Sequence, residues 1–286
     1  MDAQGTSPAG SVLWNKEEPL RLQETMMPES IAAPNCVKPI RLLWRLYLFT
    51  FRLGLAQCVK GLEFYRCIEY YWFLKYFGSA LGTKRVMDVG PWKSPLPSFL
   101  ALCGAHVRII DVREGAVVQE SYAKRTKAPS FKIHIMPYFE GMVRFDLPAS
   151  AFDVVTCIST IEHFQDSGDC EVIDEIYRIL VDGGKAFLTV PYGSHYSEHR
   201  HYKWFERTYD ASAIEDRLCR HGFKVSERLY FKDNRTLRFT RLYWRIPKLL
   251  RALLGRLWIL PAIWYIKHDQ ATVDNASLCG LVLEKE

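Results

Sequence analysis

The chain has 286 residues, which at about 150 residues per domain fits one α/β domain with additions or two small domains. Apolar residues make up 49% and charged residues 24%, a globular balance that excludes a wholly disordered chain, a collagen-like chain and a coiled-coil fibre. Lys and Arg number 38 against 32 Asp and Glu, a formal charge of +6; that mild excess suits phosphate or anionic lipid without marking a nucleic-acid binder.

Residues 1–38 carry Pro8, Pro19, Pro28 and Pro34 among Ser and Gly and read as an irregular arm. They lack the basic-then-apolar order of a signal peptide. Residues 39–80 read as an aromatic-rich helical addition. Within 41–71, Arg41, Arg45 and Arg52 fall on one helical face at about 100° per residue, with Leu, Trp, Phe and Tyr around them.

The main domain spans 81–286. Its predicted elements run in order: a short apolar strand over 85–90 and a helix between Pro95 and Gly104. A strand over 106–112 and a helix over 113–127 follow. A third strand lies within 131–148 and a buried strand over 152–159. Next come an amphipathic helix ended by Gly183 and Gly184, a fifth strand over 185–191, a helix over 212–221 and a sixth strand from Gly222. A second basic aromatic stretch, inserted at 236–268, sets Arg241, Arg245 and Lys248 on one face, and a last strand closes the chain. The longest uncharged apolar run there, 257–266, is shorter than the ~20 residues a membrane span needs. Both basic aromatic stretches fit helices lying in a membrane interface; they also fit helices that cap the domain or form a dimer face.

The eight cysteines, Cys36, Cys58, Cys67, Cys103, Cys157, Cys170, Cys219 and Cys279, include no C-x-x-C pair. They read as buried, reduced thiols of a cytoplasmic protein, with neither a disulfide framework nor a thiolate metal site.

Strands alternating with helices predict a mostly parallel sheet covered on both faces. Ligands of such a sheet sit at the carboxyl ends of its strands. Those ends carry Asp88-Val89-Gly90, Asp111, Asp146 and the run Ser159 to His163.

The segments VMDVGPWKSPLPSFLALCGAHVRIIDV, RFDLPASAFDVVTCISTIEHF and EIYRILVDGGKAFLTVPYG, within residues 84–192, resemble a class I S-adenosylmethionine-dependent methyltransferase. FERTYDASAIEDRLCRHGFKVSERLYF and SLCGLVLEKE extend the likeness. The chain is similar in particular to methyltransferases of bacterial polysaccharide and glycolipid gene clusters. The resemblance implies a Rossmann-like, seven-stranded, mostly parallel sheet and S-adenosyl-L-methionine as cofactor. It implies O-methylation of a saccharide or small-molecule acceptor, and the two basic aromatic stretches add the lipid-linked option and a place in the cytoplasm, at the inner face of a membrane. It does not imply a nucleic-acid partner.

Site roles follow from the same resemblance. Asp88 and Gly90 shape the cofactor loop, in which Trp92 stands where the family has a second glycine. Ser94 donates to the methionine carboxylate, and Lys93 supplies charge. Asp111 binds the ribose hydroxyls, Asp146 accepts from the adenine amino group and Leu147 lies beside the ring. Ser159 and Glu162 line the methionine end. Read without the resemblance, Asp111 fits a helix cap, Asp146 a turn before Pro148, and Glu162 a charge at a helix start.

A hydroxyl acceptor needs a base, and His is suited to that near neutral pH. His163 and His195 are the leading choices. Arg200 or Arg207 could pair with a substrate phosphate. His199 and His201 lack a third ligand at a defined spacing, so no metal is expected. A nicotinamide site would need G-x-G-x-x-G after a strand, which is absent. The rival reading is a catalytically inactive, membrane-associated relative that serves as a binding or scaffold partner.

Overall fold

The computed structural model describes residues 38–77, 82–128, 131–136, 143–201, 204–232, 247, 257, 259–268 and 272–286. Nearly all of the arm read over 1–38 and most of the insertion read over 236–268 lie outside them. The described residues all belong to the unit Ala33–Glu286.

The stretch 41–71 is not one helix. Pro39 starts α1 (Pro39–Phe49), where a missing N–H costs nothing. Leu43, Leu46 and Phe49 form its buried stripe. The chain tightens into a 3₁₀ turn, Thr50–Leu53, and then breaks at Gly54 and again at Gly61, whose φ values of 111° and 64° suit glycine. Between and after these lie α2 (Leu55–Lys60) and α3 (Phe64–Phe77). In α3 the aromatic side chains turn inward: Tyr70, Trp72 and Phe73 are all buried. Trp72 packs on Phe187 with ring centroids 3.8 Å apart and on Phe231 at 5.7 Å.

The strands are β1 (Arg85–Val89), β2 (His106–Asp111), β3 (Phe131–Ile135), β4 (Phe152–Ile158), β5 (Leu180–Pro191), β8 (Phe223–Phe231) and β9 (Leu278–Lys285), joined in the order 3-2-1-4-5-9-8. The first five are parallel, and β9 runs antiparallel between β5 and β8. This is the expected seven-stranded, mostly parallel sheet. Its helices are α4 (Leu96–Leu102), α5 (Arg113–Thr126), α6 (Gly168–Ile179), α7 (Ala211–Ala213), which continues as a π turn, Ile214–Leu218, and α8 (Ile259–His268).

Two-residue periodicity sorts the sheet into two cores. Val86, Val154, Phe187 and Val282 face the layer of α1, α3, α4 and α8. Met87, Val155, Leu188 and Leu281 face α6 and the turn around Ile214. The chain fills the sheet outward from β1 in one direction and from β4 in the other, so the switch point lies between β1 and β4.

Two further expectations change. Helix α6 ends at Ile179 rather than at Gly183, because Leu180 already pairs with Phe152 and the next four residues bulge before Lys185 rejoins the ladder opposite Val154. The polar stretch 191–202 is not all loop. It contains β6 (Ser197–His201), which pairs antiparallel with β7 (Trp204–Thr208) as a separate hairpin.

The α3 layer reaches the sheet through a gap in β9. A Cβ built on Gly280 would lie 2.4 Å from Trp72 Cζ3 and 3.0 Å from Phe231 Cε2. Gly280→Ala should therefore destabilise the fold by about 1–3 kcal/mol, read as a lower urea midpoint at unchanged slope.

Candidate functional site

Where β1 ends, the chain turns at Gly90 (φ 65°). Its N–H donates to the Ile110 carbonyl (2.8 Å), and its own carbonyl accepts from Thr160 Oγ1 (3.0 Å). A Cβ here would come within 2.1 Å of Thr160 Cγ2, so glycine is required by both torsion and space. Trp92 also has positive φ, 47°. The residue that replaces the family's second glycine thus keeps a glycine-like torsion, which costs a large L-residue about 1–2 kcal/mol. Three contacts hold it there. Trp92 N–H donates to Asp111 Oδ2 (2.6 Å), and buried Gln119 donates to the Trp92 and Ser94 carbonyls, both at 2.9 Å.

Asp111 ends β2 almost fully buried. Its second oxygen accepts from the Val112 N–H (2.7 Å). Burial raises its pKa, and the N–H groups of Trp92 and Val112 oppose that rise. Gly115 in the first turn of α5 leaves room for the carboxyl group, since a Cβ there would lie 2.3 Å from Asp111 Cγ.

These strand ends open into one cavity of about 750 Å³, whose wall includes Asp88, Gly90, Ser94, Asp111, Ser159 and His163. The volume lies within the range of sites for drug-sized ligands, about 300–1,000 Å³. Burial pushes Asp88 up to about 7. Ser94 Oγ accepts from the Leu96 N–H (3.1 Å) and lies 2.8 Å from the Tyr70 hydroxyl.

A second wall comes from α2, α3 and their linker: Gln57, Glu63, Tyr65, Arg66 and Tyr70. Sequence reasoning missed this group, because it read 39–80 as an appendage. The signal that could have found it is the set of polar residues inside an otherwise apolar helix. Arg66 donates to Glu69 (2.9 Å). Glu69, fully buried, also accepts from Ser159 Oγ (2.8 Å) and Thr189 Oγ1 (2.7 Å) at the tips of β4 and β5. Burial opposes the charge on Arg66, but Glu69, Tyr70, Tyr65 and Glu162 together outweigh it and hold the guanidinium pKa above its usual value.

His163 stands half-exposed at the rim, with Nδ1 2.8 Å from the Phe205 carbonyl of β7. The tautomer that bonds this carbonyl carries its proton on Nδ1. The hairpin that presents Phe205 is clamped by Arg207, which is fully buried, donates to the Phe164 and Asp166 carbonyls and pairs with Asp169 at 3.6 Å. Asp169 also accepts from Tyr209 (2.9 Å) and Arg217 (2.6 Å).

Not every expected site residue reaches the wall. Phe145 and Leu147 are buried in the second core, and Arg178 and Glu175 of α6 hold their backbone. Asp146, at the bend where the Leu147 N–H donates to the Phe145 carbonyl (2.8 Å), is exposed and off the cavity wall. Of the described residues between β3 and β4, Met136 lines the cavity. Glu162 lies buried in the 3₁₀ turn Ile161–His163, its Oε1 4.0 Å from His163 Nε2 and its Oε2 without a partner among the described residues. His195 is exposed and off the wall. Among the described residues there is no group of three His, Cys, Asp or Glu able to hold a metal ion, and no helix is long and apolar enough to cross a membrane.

A cavity at the switch point of a 3-2-1-4-5 sheet with an antiparallel strand beside β5 defines a Rossmann-like, class I methyltransferase fold. The sequence profile of the methyltransferase domain matches residues 65–228, more than half of the chain, and the chain belongs to that family. The family implies S-adenosyl-L-methionine as the cofactor. Three solved structures show the same fold. The [4+2]-cyclase SpnF is 14% identical, with 89% of this chain and 98% of that one covered and a TM-score of 0.55. A protein assigned as a sarcosine dimethylglycine methyltransferase from Galdieria sulphuraria is 11% identical, with 87% and 99% covered and a TM-score of 0.55. A protein assigned as an S-adenosylmethionine-dependent methyltransferase from Listeria monocytogenes is 13% identical, with 76% and 96% covered and a TM-score of 0.50. No curated protein matches the sequence.

Burial also pushes Glu162 up to about 8. With ordinary values of 4.5 for Glu162 and 3.8 for Asp88, these two sites hold more protons in the native state than in the unfolded chain from about pH 4 to 8, whereas the carboxylates that hydrogen bonds and ion pairs hold low, such as Asp153 and Glu198, act mainly below that window. Stability should thus fall as pH rises through that window. Thermal melts should show Tm declining from pH 5 to 8, and Glu162→Gln should flatten the decline above pH 7.

Proposed function

We propose that the protein transfers a methyl group from S-adenosyl-L-methionine to a hydroxyl oxygen of a saccharide or lipid-linked acceptor at the inner face of a membrane. The observation that carries this reading is the single cavity shared by Gly90, Asp111, Ser159 and His163 at the strand tips. The bound cofactor supplies an electrophilic methyl on a sulfonium.

The donor set fits that cofactor. Each Asp111 oxygen already accepts one N–H, and a carboxylate has about four lone-pair sites, so two remain for a vicinal diol. Arg66 and Lys93 are the cavity's cations for a carboxylate, and Asp88 and Glu63 its acids for an ammonium. Ser94 Oγ, which accepts from the Leu96 N–H and lies 2.8 Å from the Tyr70 hydroxyl, donates its proton into the cavity when Tyr70 supplies the proton of the bond between them. His163, whose Nδ1–H is engaged by Phe205 and whose Nε2 lies 4.0 Å from Glu162 Oε1, would take the hydroxyl proton on Nε2 as the methyl leaves sulfur for the acceptor oxygen. His163 is preferred to His195 because it lines the cavity. The acceptor class rests on the family resemblance and on the basic apolar surface beside the cavity.

Trp92 favours one other reading. An indole on the cavity wall, in a loop held at left-handed torsion, also suits a relative that has given up donor binding and acts as a membrane-associated scaffold.

Calorimetric titration separates the two. Wild type should bind S-adenosyl-L-methionine; no heat at millimolar cofactor would leave the scaffold reading. Asp111→Ala should weaken binding about tenfold or more, the worth of a charged hydrogen bond.

His163→Ala should bind cofactor as wild type does while turnover falls about 10²–10⁴-fold. The readout is mass spectrometry of lipid and glycan extracts for products heavier by one methylene. Equal methylation by wild type and Asp111→Ala would overturn the cofactor assignment.

A further inference from the structure

The outward side of α1 and the turn that follows it is apolar and cationic together. Trp44, Leu48, Phe51 and Leu55 are 36%, 57%, 50% and 81% exposed. Steps of four and three residues align Trp44, Leu48 and Phe51 along α1 and its turn, and Leu55 follows the break at Gly54. Arg41, Arg45 and Arg52, interleaved with them along the same segment, are exposed as well. None of the three has an acidic partner among the described residues. From Lys38 to Leu62 the sequence contains no Asp or Glu. The inward side of the same segment is fully engaged: Leu43, Leu46, Phe49 and Leu53 belong to the core. Helix α8 packs on α3 as α1 does, and its layer adds exposed Leu257, Leu260 and Trp264.

We infer that this face docks on an anionic phospholipid bilayer. Charge decides the occupant. Guanidinium groups flanking a Trp, Phe and Leu stripe match an interface that offers phosphate at headgroup level and hydrocarbon just below it. A second copy of the chain would set these arginines against one another.

The face also leads to the cavity. Leu55, its most exposed residue, begins α2, and Gln57, Gly61, Leu62 and Glu63 just beyond it are on the cavity wall. A docked protein holds that wall near headgroup level, where a lipid-linked hydroxyl lies. The inference rests on the proposed function for that acceptor alone; docking stands without it.

The test is flotation of the full chain with two vesicle types, phosphatidylcholine alone and phosphatidylcholine mixed with phosphatidylglycerol. Wild type should float with the anionic vesicles and stay below with the neutral ones. Binding should weaken at about 1 M salt, where screening shortens to about 3 Å. Leu48→Asp with Leu55→Asp, and separately Arg41→Glu with Arg45→Glu, should each lower binding about tenfold or more. Both should keep the wild-type circular dichroism and cofactor titration.

Wild type remaining below with both vesicles would overturn the inference, as would variants that float like wild type. A dimer that Leu48→Asp dissociates, with no vesicle binding, would overturn it in favour of a second copy. Flotation without methyl transfer would leave docking standing and remove the enzyme reading; methyl transfer without flotation would do the reverse.

Discussion

The carboxyl group of Glu69 joins the N-terminal helices to the strand tips, and the shape of the cavity depends on it. It accepts from Arg66 on its own helix, from Ser159 at the end of β4 and from Thr189 on β5. A fully buried acid with three donors is stable where it sits, and removing it would leave a partly buried guanidinium without its partner. That arrangement turns a stretch that reads as an appendage into a wall of the site. It also holds Ser159 at φ 46°, an otherwise unfavourable torsion for serine, so that the chain can turn from β4 into the rim.

The opposite wall works on a similar principle. The loop after β1 makes few contacts of its own, so Asp111, Gln119, Thr160 and Tyr70 reach in from β2, α5, the turn after β4 and α3 to hold it. The loop's backbone is thereby preorganised before any ligand arrives, which reduces the ordering cost of binding. The cost appears elsewhere, in acids such as Asp88 and Glu162 that burial keeps protonated to higher pH than usual. The β6–β7 hairpin adds the last piece, since its buried Arg207 fastens the segment that carries His163.

One helical layer serves two surfaces. Its inner side, with Trp72, Phe73 and Phe64, covers the sheet, and its outer side keeps Trp44, Leu48 and Leu55 in solvent between arginines. The high aromatic content therefore has two separate physical reasons, and composition alone cannot apportion them. The [4+2]-cyclase among the structures of the same fold makes the related point about chemistry: the scaffold does not dictate the reaction, the side chains around the cavity do.

The alternation of apolar strands with amphipathic helices was enough to determine the sheet, its covering on both faces and the placing of Asp88, Gly90 and Asp111 at strand ends, because these depend on local periodicity and on turns that require glycine. The sequence also showed Trp92 in the glycine loop, but not that a hydrogen bond to Asp111 would keep its backbone in a glycine-like torsion. Tertiary structure alone decided that Arg66 lines the cavity with Glu69 behind it, that Asp146 is exposed off the cavity wall and that Phe205 meets His163. The partners in these contacts lie far apart along the chain: Glu69 meets Thr189 across 120 positions and His163 meets Phe205 across 42. No window of sequence registers such a pairing; it exists only once the sheet has set the strand tips side by side.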